Sequence, residues 1–457
     1  MHRRGRRGEG PGFGRRLCGS WWWGPAACGV TAAILLAAPS TGYGAAGQPP
    51  TREPASPEVV VPDVLKTASE VVVLGRLARE PMLAELSTGE LFLAGYGAQS
   101  ATSSHPDQAP FLWRSDDRGA TWEVVDVGGP ETGARGNSDV DLAVGPEDEL
   151  YFASMGFDRT TLRGTHVAVG VSLDRGRSWR WSELSRTELD DRPWVVVTPD
   201  RVAHAVWNDG SGVAYARSED RGASWQERPR IHDQGGSSHF AAGPAGELAV
   251  RISPLSASGH RFHEGADHIA VSTDGGASWT LHAPPSRAEW PRNFFGLAAT
   301  PRWVEPLAWT PDGQLLHLWG EDGSLHLAGS VDRGASWTTT VLTGAEAAAP
   351  FFPYLVAWGE RAAFSWWSGQ GESLRAHIAV AQRGDGGWQI AARSEALEVD
   401  AWRAPPGADA SSAMRETGGE YLPLLPLRGG GLAAAYTVQN APRDRFGFVF
   451  RRFDLPK

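Results

Sequence analysis

From about residue 70 onward, short apolar runs alternate with polar turns. Runs such as His166 to Val171, Gly212 to Ala216 and His268 to Val271 carry the two-residue alternation of a half-buried strand. Seven other runs read as strand openings: Pro81 to Glu85, Asp139 to Val144, Pro193 to Val197, His239 to Gly243, Val304 to Trp309, Pro353 to Trp358 and Tyr421 to Leu427. Each is followed, after a turn bearing Gly, Asp or Glu, by a second apolar run, as in Glu90 to Ala94 and Leu150 to Ala153. The pattern predicts an all-β chain of hairpins.

The turns carry a motif. Ser-x-Asp-x-Gly-x-x-Trp occurs five times, at Ser115 to Trp122, Ser172 to Trp179, Ser218 to Trp225, Ser272 to Trp279 and Ser330 to Trp337, with a degenerate sixth copy at Ala381 to Trp388. Successive starts lie 57, 46, 54, 58 and 51 residues apart, the length of one four-stranded β-propeller blade with its loops. The 388 residues from Glu70 to Lys457 allow about 55 per blade for seven blades and about 65 for six. The latter exceeds every observed spacing, so seven blades is the better count and six the alternative. After Phe446 to Phe453 no fourth strand remains for the last blade. Glu70 to Leu77 is expected to supply it, closing the ring and removing two free sheet edges.

Within the motif the Asp suits bonding to backbone N–H groups two residues on, the Gly a positive φ, and the Trp a place between neighbouring sheets. These are structural tasks, so Asp117, Asp174, Asp220, Asp274 and Asp332 are poor candidates for catalysis. The motif resembles the Asp-box of sialidases and other bacterial-neuraminidase-repeat proteins. That resemblance implies boxes at the blade periphery and a ligand in the axial funnel.

Carried onto this sequence, the resemblance implies specific site residues. Arg79-Glu80-Pro81 looks like the family's Arg-Ile-Pro segment, which makes Arg79 a candidate clamp for a substrate carboxylate. Arg251, on a strand ahead of the fourth box, is similar to a second clamp arginine. Asp107, eight residues before Ser115, matches the place of the general acid. Tyr421 matches the nucleophilic tyrosine, with Glu420 as its base, an arrangement that suits an anionic sugar. Asp191 and Arg192 open the third inner strand and read as a ligand-contacting rim. Departures from the family pattern are also plain: Leu315 to Leu327 contains no arginine, Gly95 to Ala98 lacks another, and no glutamate lies near Ser237-Ser238-His239. Two readings stand: a glycoside hydrolase for sialic-acid-type or other acidic sugars, and a non-catalytic propeller that binds glycan or protein at the cell envelope.

The N-terminal region changes the picture of compartment. Residues 1–46 carry six Arg and one Glu, and Ala26 to Ala38 is an apolar run of thirteen ending ahead of Gly44-Ala45-Ala46. This reads as a signal peptide at 1–46, followed by a Pro-rich linker at 47–69 and the propeller at 70–457. The expected location is secreted, periplasmic or cell-envelope, with no stable membrane span after cleavage. Trp21 to Pro39 would approach a span if retained, but Gly24 and Pro25 interrupt it. Both cysteines, Cys18 and Cys28, lie in the leader, so disulfides and thiolate chemistry are excluded from the mature chain. The mature chain keeps 37 basic against 52 acidic residues, a net −15 that disfavours nucleic acid. No cofactor and no metal are expected, and the chain reads as a monomer. His260, His263, Glu264, Asp267 and His268 match no metal spacing and read as a solvated loop. Asp139 and Asp141 share a strand face, which is weak evidence for calcium.

Overall fold

The computed structural model describes residues 62–73, 78–97, 108–158, 160–256, 261–290, 304–342, 350–369, 374–398, 419–440 and 445–456. The expected leader, the linker up to residue 61 and Asp107 lie outside these residues. Strands form seven four-stranded antiparallel blades. In blade 1 the strands are Ala78–Glu85, Leu91–Gly97, Phe111–Ser115 and Glu123–Val125, from axis to rim. The inner strands of the next five blades are Ser138–Val144, Asp190–Val197, Gly236–Ala242, Leu307–Trp309 and Phe351–Trp358. Blade 6 gains two short strands: Asp63–Val64 pairs parallel with its outer strand, and Leu397–Glu398 pairs with its third.

Blade 7 consists of Leu424–Pro426, Leu432–Asn440, Arg445–Asp454 and Lys66–Val73. The last of these lies antiparallel to Arg445–Asp454, with Val71 opposite Phe450. Ring closure therefore follows the expected route, but the closing strand starts at Lys66 rather than Glu70. Asp63–Val64 and the start of that strand fall within the stretch read as linker.

The box hydrogen bonds differ in one detail from expectation. Asp117 Oδ1 accepts the N–H of Thr121, four residues on, at 2.8 Å and the Ser115 hydroxyl at 2.8 Å, while Ser115 Oγ accepts the Gly119 N–H. The same set recurs around Asp174, Asp220, Asp274 and Asp332. The turn is wider than a two-residue Asx turn because Gly119, at φ 85°, folds it back onto the serine. Glycine is needed there for a second reason: a Cβ on Gly119 would overlap the ring of Phe450 in blade 7. Trp122 packs edge-on against that same ring at 5.0 Å, and Trp279 of blade 4 meets Tyr215 of blade 3 at 5.6 Å. Box residues thus hold one blade to the preceding one.

Every blade is entered on its inner strand, so these strands run the same way along the axis and contact one another in cyclic order. Their first residues gather at one end of the ring. The boxes and the first turn of each blade lie at the other end.

Candidate functional site

Five inner strands carry a β-bulge near their start. The pairing slips by one residue between Arg79 and Met82, Ser138 and Val140, Asp191 and Trp194, Ser237 and His239, and Phe351 and Tyr354. The bulge moves the start of these strands one to three residues upstream of the apolar openings. Three bulges contain a residue-proline pair in which the first residue has positive φ: Glu80 at 50°, Arg192 at 46° and Phe352 at 47°. Proline disfavours helical conformations in the residue before it, and left-handed backbone is uncommon for any side chain. Strain of this kind persists only where surrounding structure enforces it, and bulges re-aim side chains.

The side chains so aimed form one polar cluster. Glu80, Asp191, Arg192, Glu420 and Tyr421 are all buried, while Asp139 is surrounded yet keeps part of its surface open. Glu80 hydrogen-bonds with Asp139 and Tyr96 and lies in the field of Arg79 and Glu420. Arg192 Nη2 stands 3.7 Å from Glu420 Oε1. Arg192 Nη1 and Glu80 Oε2 are buried without a hydrogen-bond partner. The blade 7 entry crosses close above: a Cβ on Gly419 would overlap the Glu80 side chain.

Burial and crowding set the protonation of the cluster. Asp139 is pushed well above the usual carboxylate range, by burial first, then by the charges of Glu80 and Asp191 and by the hydrogen bond with Glu80; Arg192 opposes this. Glu80 is also raised, by burial and by Glu420, but Arg79 and the bonds from Asp139 and Tyr96 pull it back. The two carboxyls titrate as a coupled pair, both raised, with Asp139 held well above the ordinary range. Burial disfavours charge on Arg192, yet Glu420, Asp191, Tyr421 and Asp139 together hold it cationic. Tyr421 is driven well above the ordinary phenol value by burial and by Asp139, Glu420 and Glu80.

An aromatic layer lies beneath. Trp194 meets Tyr421 edge-on at 5.5 Å and His239 at 5.0 Å, and His239 meets Tyr354 at 5.9 Å. Burial lowers His239 to about 3, so its ring is neutral. The Tyr354 hydroxyl of blade 6 approaches Met82 Sδ of blade 1 at 3.8 Å, a contact across the axis. Deeper still, Asp141 Oδ2 accepts the Val195 N–H at 2.8 Å and ties blade 2 to blade 3.

The comparisons follow from this architecture. Residues 112–125 match the family model described as BNR-Asp box repeat. The chain is a seven-bladed β-propeller that carries Asp-box repeats. No curated protein matches the sequence. Similar solved structures include a Penicillium chrysogenum alpha-L-arabinanase complexed with arabinobiose, at 14% identity, 84% of this chain, 98% of that one and TM-score 0.46. Another is a Trypanosoma rangeli sialidase in complex with sialic acid, at 13% identity, 85% and 59% coverage and TM-score 0.46. YCF48 from Cyanidioschyzon merolae gives 13% identity, 85% and 99% coverage and TM-score 0.45. Likenesses at this level assign no chemistry to the propeller.

Of the residues singled out from sequence, the propeller brings Arg79, Asp191, Arg192, Glu420 and Tyr421 into one cluster. Arg251 is the correction. It is fully buried and all five of its N–H donors are engaged: Nε and Nη2 with Glu305 Oε2 at 3.0 and 2.8 Å, Nη2 with Asp267 Oδ1 at 2.7 Å, and Nη1 with the carbonyls of Ile252 and His268. The Trp290 ring lies 5.2 Å from its guanidinium carbon. No donor remains for a substrate, and Arg251 acts as a brace between blades 4 and 5. Asp267 belongs to this brace, while His263 and His268 bond to Ser256 Oγ and the Gly265 carbonyl. Sequence reasoning missed Glu80 and Asp139 as site residues. The available signal was the repeated residue-proline pair at the strand starts.

Proposed function

We propose that this propeller is a glycoside hydrolase whose site is the Glu80–Asp139–Arg192–Glu420 cluster, and that its substrate is a neutral sugar. The observation that carries this reading is the Asp139–Glu80 pair: two hydrogen-bonded carboxyls, the partly open Asp139 raised well above the ordinary range, with Arg192 and Glu420 beside them. Glycosidic cleavage needs such a division, one carboxylic acid to protonate the leaving oxygen and one carboxylate to act on the other face. Asp139 fills the first role. Glu420, 3.7 Å from the Arg192 guanidinium, fills the second as nucleophile or base. Tyr354, the half-buried member of the aromatic layer, offers an apolar face to a sugar ring, backed by buried Trp194 and Tyr421.

Charge decides between sugar classes. The cluster sets four carboxyl groups, Glu80, Asp139, Asp191 and Glu420, against two arginines, Arg79 and Arg192. An acidic sugar would enter a site in which carboxyls outnumber arginines, and with Arg251 committed to its brace only Arg79 remains of the two clamp arginines expected. Nucleophilic attack by Tyr421 is disfavoured because its neighbours oppose the phenolate; donating a hydrogen bond suits it better. Export to the cell envelope, in keeping with the N-terminal leader, is part of this proposal.

The test is turnover of a panel of fluorogenic pentosides, hexosides and a sialoside by the purified protein. Hydrolysis of a neutral glycoside is expected, with Asp139→Asn and Glu420→Gln each lowering kcat by about a hundredfold or more while circular dichroism stays unchanged. Turnover confined to the sialoside would reverse the substrate reading. Turnover indifferent to both changes, or binding of sugars with no turnover, would remove the catalytic one.

A further inference from the structure

The box end of the propeller carries a second polar site. The residue between Asp and Gly of each box has left-handed backbone: Arg118 at φ 60°, Arg175 at 61°, Arg221 at 56°, Arg333 at 61° and Gly275 at 66°. This conformation sends the side chain toward the preceding blade. Arg175 Nη1 thereby reaches Glu90 Oε1 in the first turn of blade 1 at 3.2 Å. Arg221 Nη1 approaches Glu147 Oε2 of blade 2 at 3.7 Å. These are cross-blade ion pairs.

Arg118 in blade 1 adopts the same conformation but faces blade 7. The first turn there reads Leu427-Arg428-Gly429-Gly430 and offers no carboxylate. Arg118 lies instead against Gly429, where an added Cβ would stand 3.8 Å from its guanidinium carbon. A cavity of about 340 Å³ opens at this seam, lined by Arg118, Arg428 and Arg452 together with Ser87, Thr88 and the glycines of both turns. Its two acidic members are occupied: Glu85 Oε2 accepts the backbone N–H of Arg428 at 2.8 Å, and Asp116 Oδ1 pairs with Arg114 Nε at 2.7 Å. None of the three arginines makes an ion pair among the described residues, and Arg452 Nε is buried without a hydrogen-bond partner.

We propose that this cavity binds a tetrahedral oxyanion, phosphate or sulfate, free or as the ester group of a small sugar. Guanidinium groups match such oxygens in paired hydrogen bonds, and three arginines that make no ion pair among the described residues outnumber the two acidic residues, Glu85 and Asp116, in the lining of this one cavity. Its volume leaves room beyond the anion for one attached ring. Lying at the end of the ring opposite the Glu80–Asp139 cluster, the site stands independently of the proposed hydrolase activity.

The full chain titrated calorimetrically with inorganic phosphate, inorganic sulfate and a sugar monophosphate tests this. Saturable binding of at least one is expected, weakened about tenfold or more by Arg428→Ala and by Arg118→Asn, asparagine being tolerant of left-handed backbone. Arg175→Asn, which alters an equivalent but paired arginine, should leave binding unchanged. Tighter binding of the sugar phosphate than of free phosphate would identify the ester as the ligand, and equal binding the free anion. Absence of saturable heat with all three probes, or parental affinity in a folded Arg118→Asn/Arg428→Ala double variant, would overturn the proposal.

Discussion

Arg192 and Arg251 are both buried, and both stood out in the sequence as candidate ligand contacts. Their surroundings differ in one respect. Arg251 has a partner for each of its five donors, two of them on Glu305 and one on Asp267. Arg192 keeps a buried Nη1 with no partner, and its closest carboxylate contact, to Glu420, is a loose 3.7 Å. Burial alone therefore says little about role. A buried cation with every donor satisfied is part of the frame, whereas one held in strained backbone with a donor left bare is poised for something else to bind.

The largest effect expected from this contrast is on stability. Arg251→Met would strand Glu305 beside Asp267 without a cation, and urea unfolding should show a loss of about 3–5 kcal/mol. Arg192→Met should lose distinctly less and should instead impair sugar turnover. Equal losses in the two variants would erase the distinction.

A second expected effect is on the pH dependence of rate. Because the Asp139 proton is held well above the ordinary carboxylate range, turnover should persist into near-neutral pH and fall as pH rises through that raised value. A pH–rate profile that declines already near pH 4 would contradict the assignment of the acid.

Asp141 offers a smaller, structural comparison. Burial lifts its carboxyl to about 7 despite the N–H bonds from Val195 and Leu142. The folded state thus holds a proton that the unfolded chain releases near pH 4. This contribution is complete below the ordinary carboxylate range and is lost as pH rises through about 7. Asp141→Asn should flatten the stability–pH curve in that window by up to about 1.4 kcal/mol per pH unit, as read from denaturation midpoints. An unchanged curve would mean that Asp141 titrates normally.

The smallest effect belongs to the box. Asp220 is held at about 2, chiefly by the Ser224 hydroxyl and N–H and the Ser218 hydroxyl. Asp220→Ala should lower the melting midpoint slightly, leave turnover intact, and matter less as pH falls toward 2, where the carboxylate is lost. A loss of turnover in this variant, with the fold retained, would bring the box back into consideration as a functional element.

The blade count, the ring closure and the structural role of the boxes were legible because they rest on local pattern: alternating strands, a fixed turn chemistry and a near-constant period. The axial cluster was legible in part. Arg79, Asp191, Arg192, Glu420 and Tyr421 all stood out at strand starts. Glu80, however, drew no role of its own between Arg79 and Pro81, and Asp139 read as half of a calcium pair with Asp141. Their true placement depends on bulges that shift the pairing by one residue, and a one-residue shift turns a side chain from one face of a strand to the other. Arg251 failed for a related reason. Glu305 lies 54 positions away in sequence, and nothing local announces that it will complete the brace.

Blade 7 unites Lys66–Val73 with Arg445–Asp454, which sets the timing of assembly. A ribosome releases the closing strand ahead of the first six blades and its partner after them. For most of synthesis the growing ring is an open arc with one strand waiting for a neighbour that does not yet exist. Final closure falls after Arg445–Asp454 has emerged, and truncation before Arg445 should leave six complete blades unable to lock.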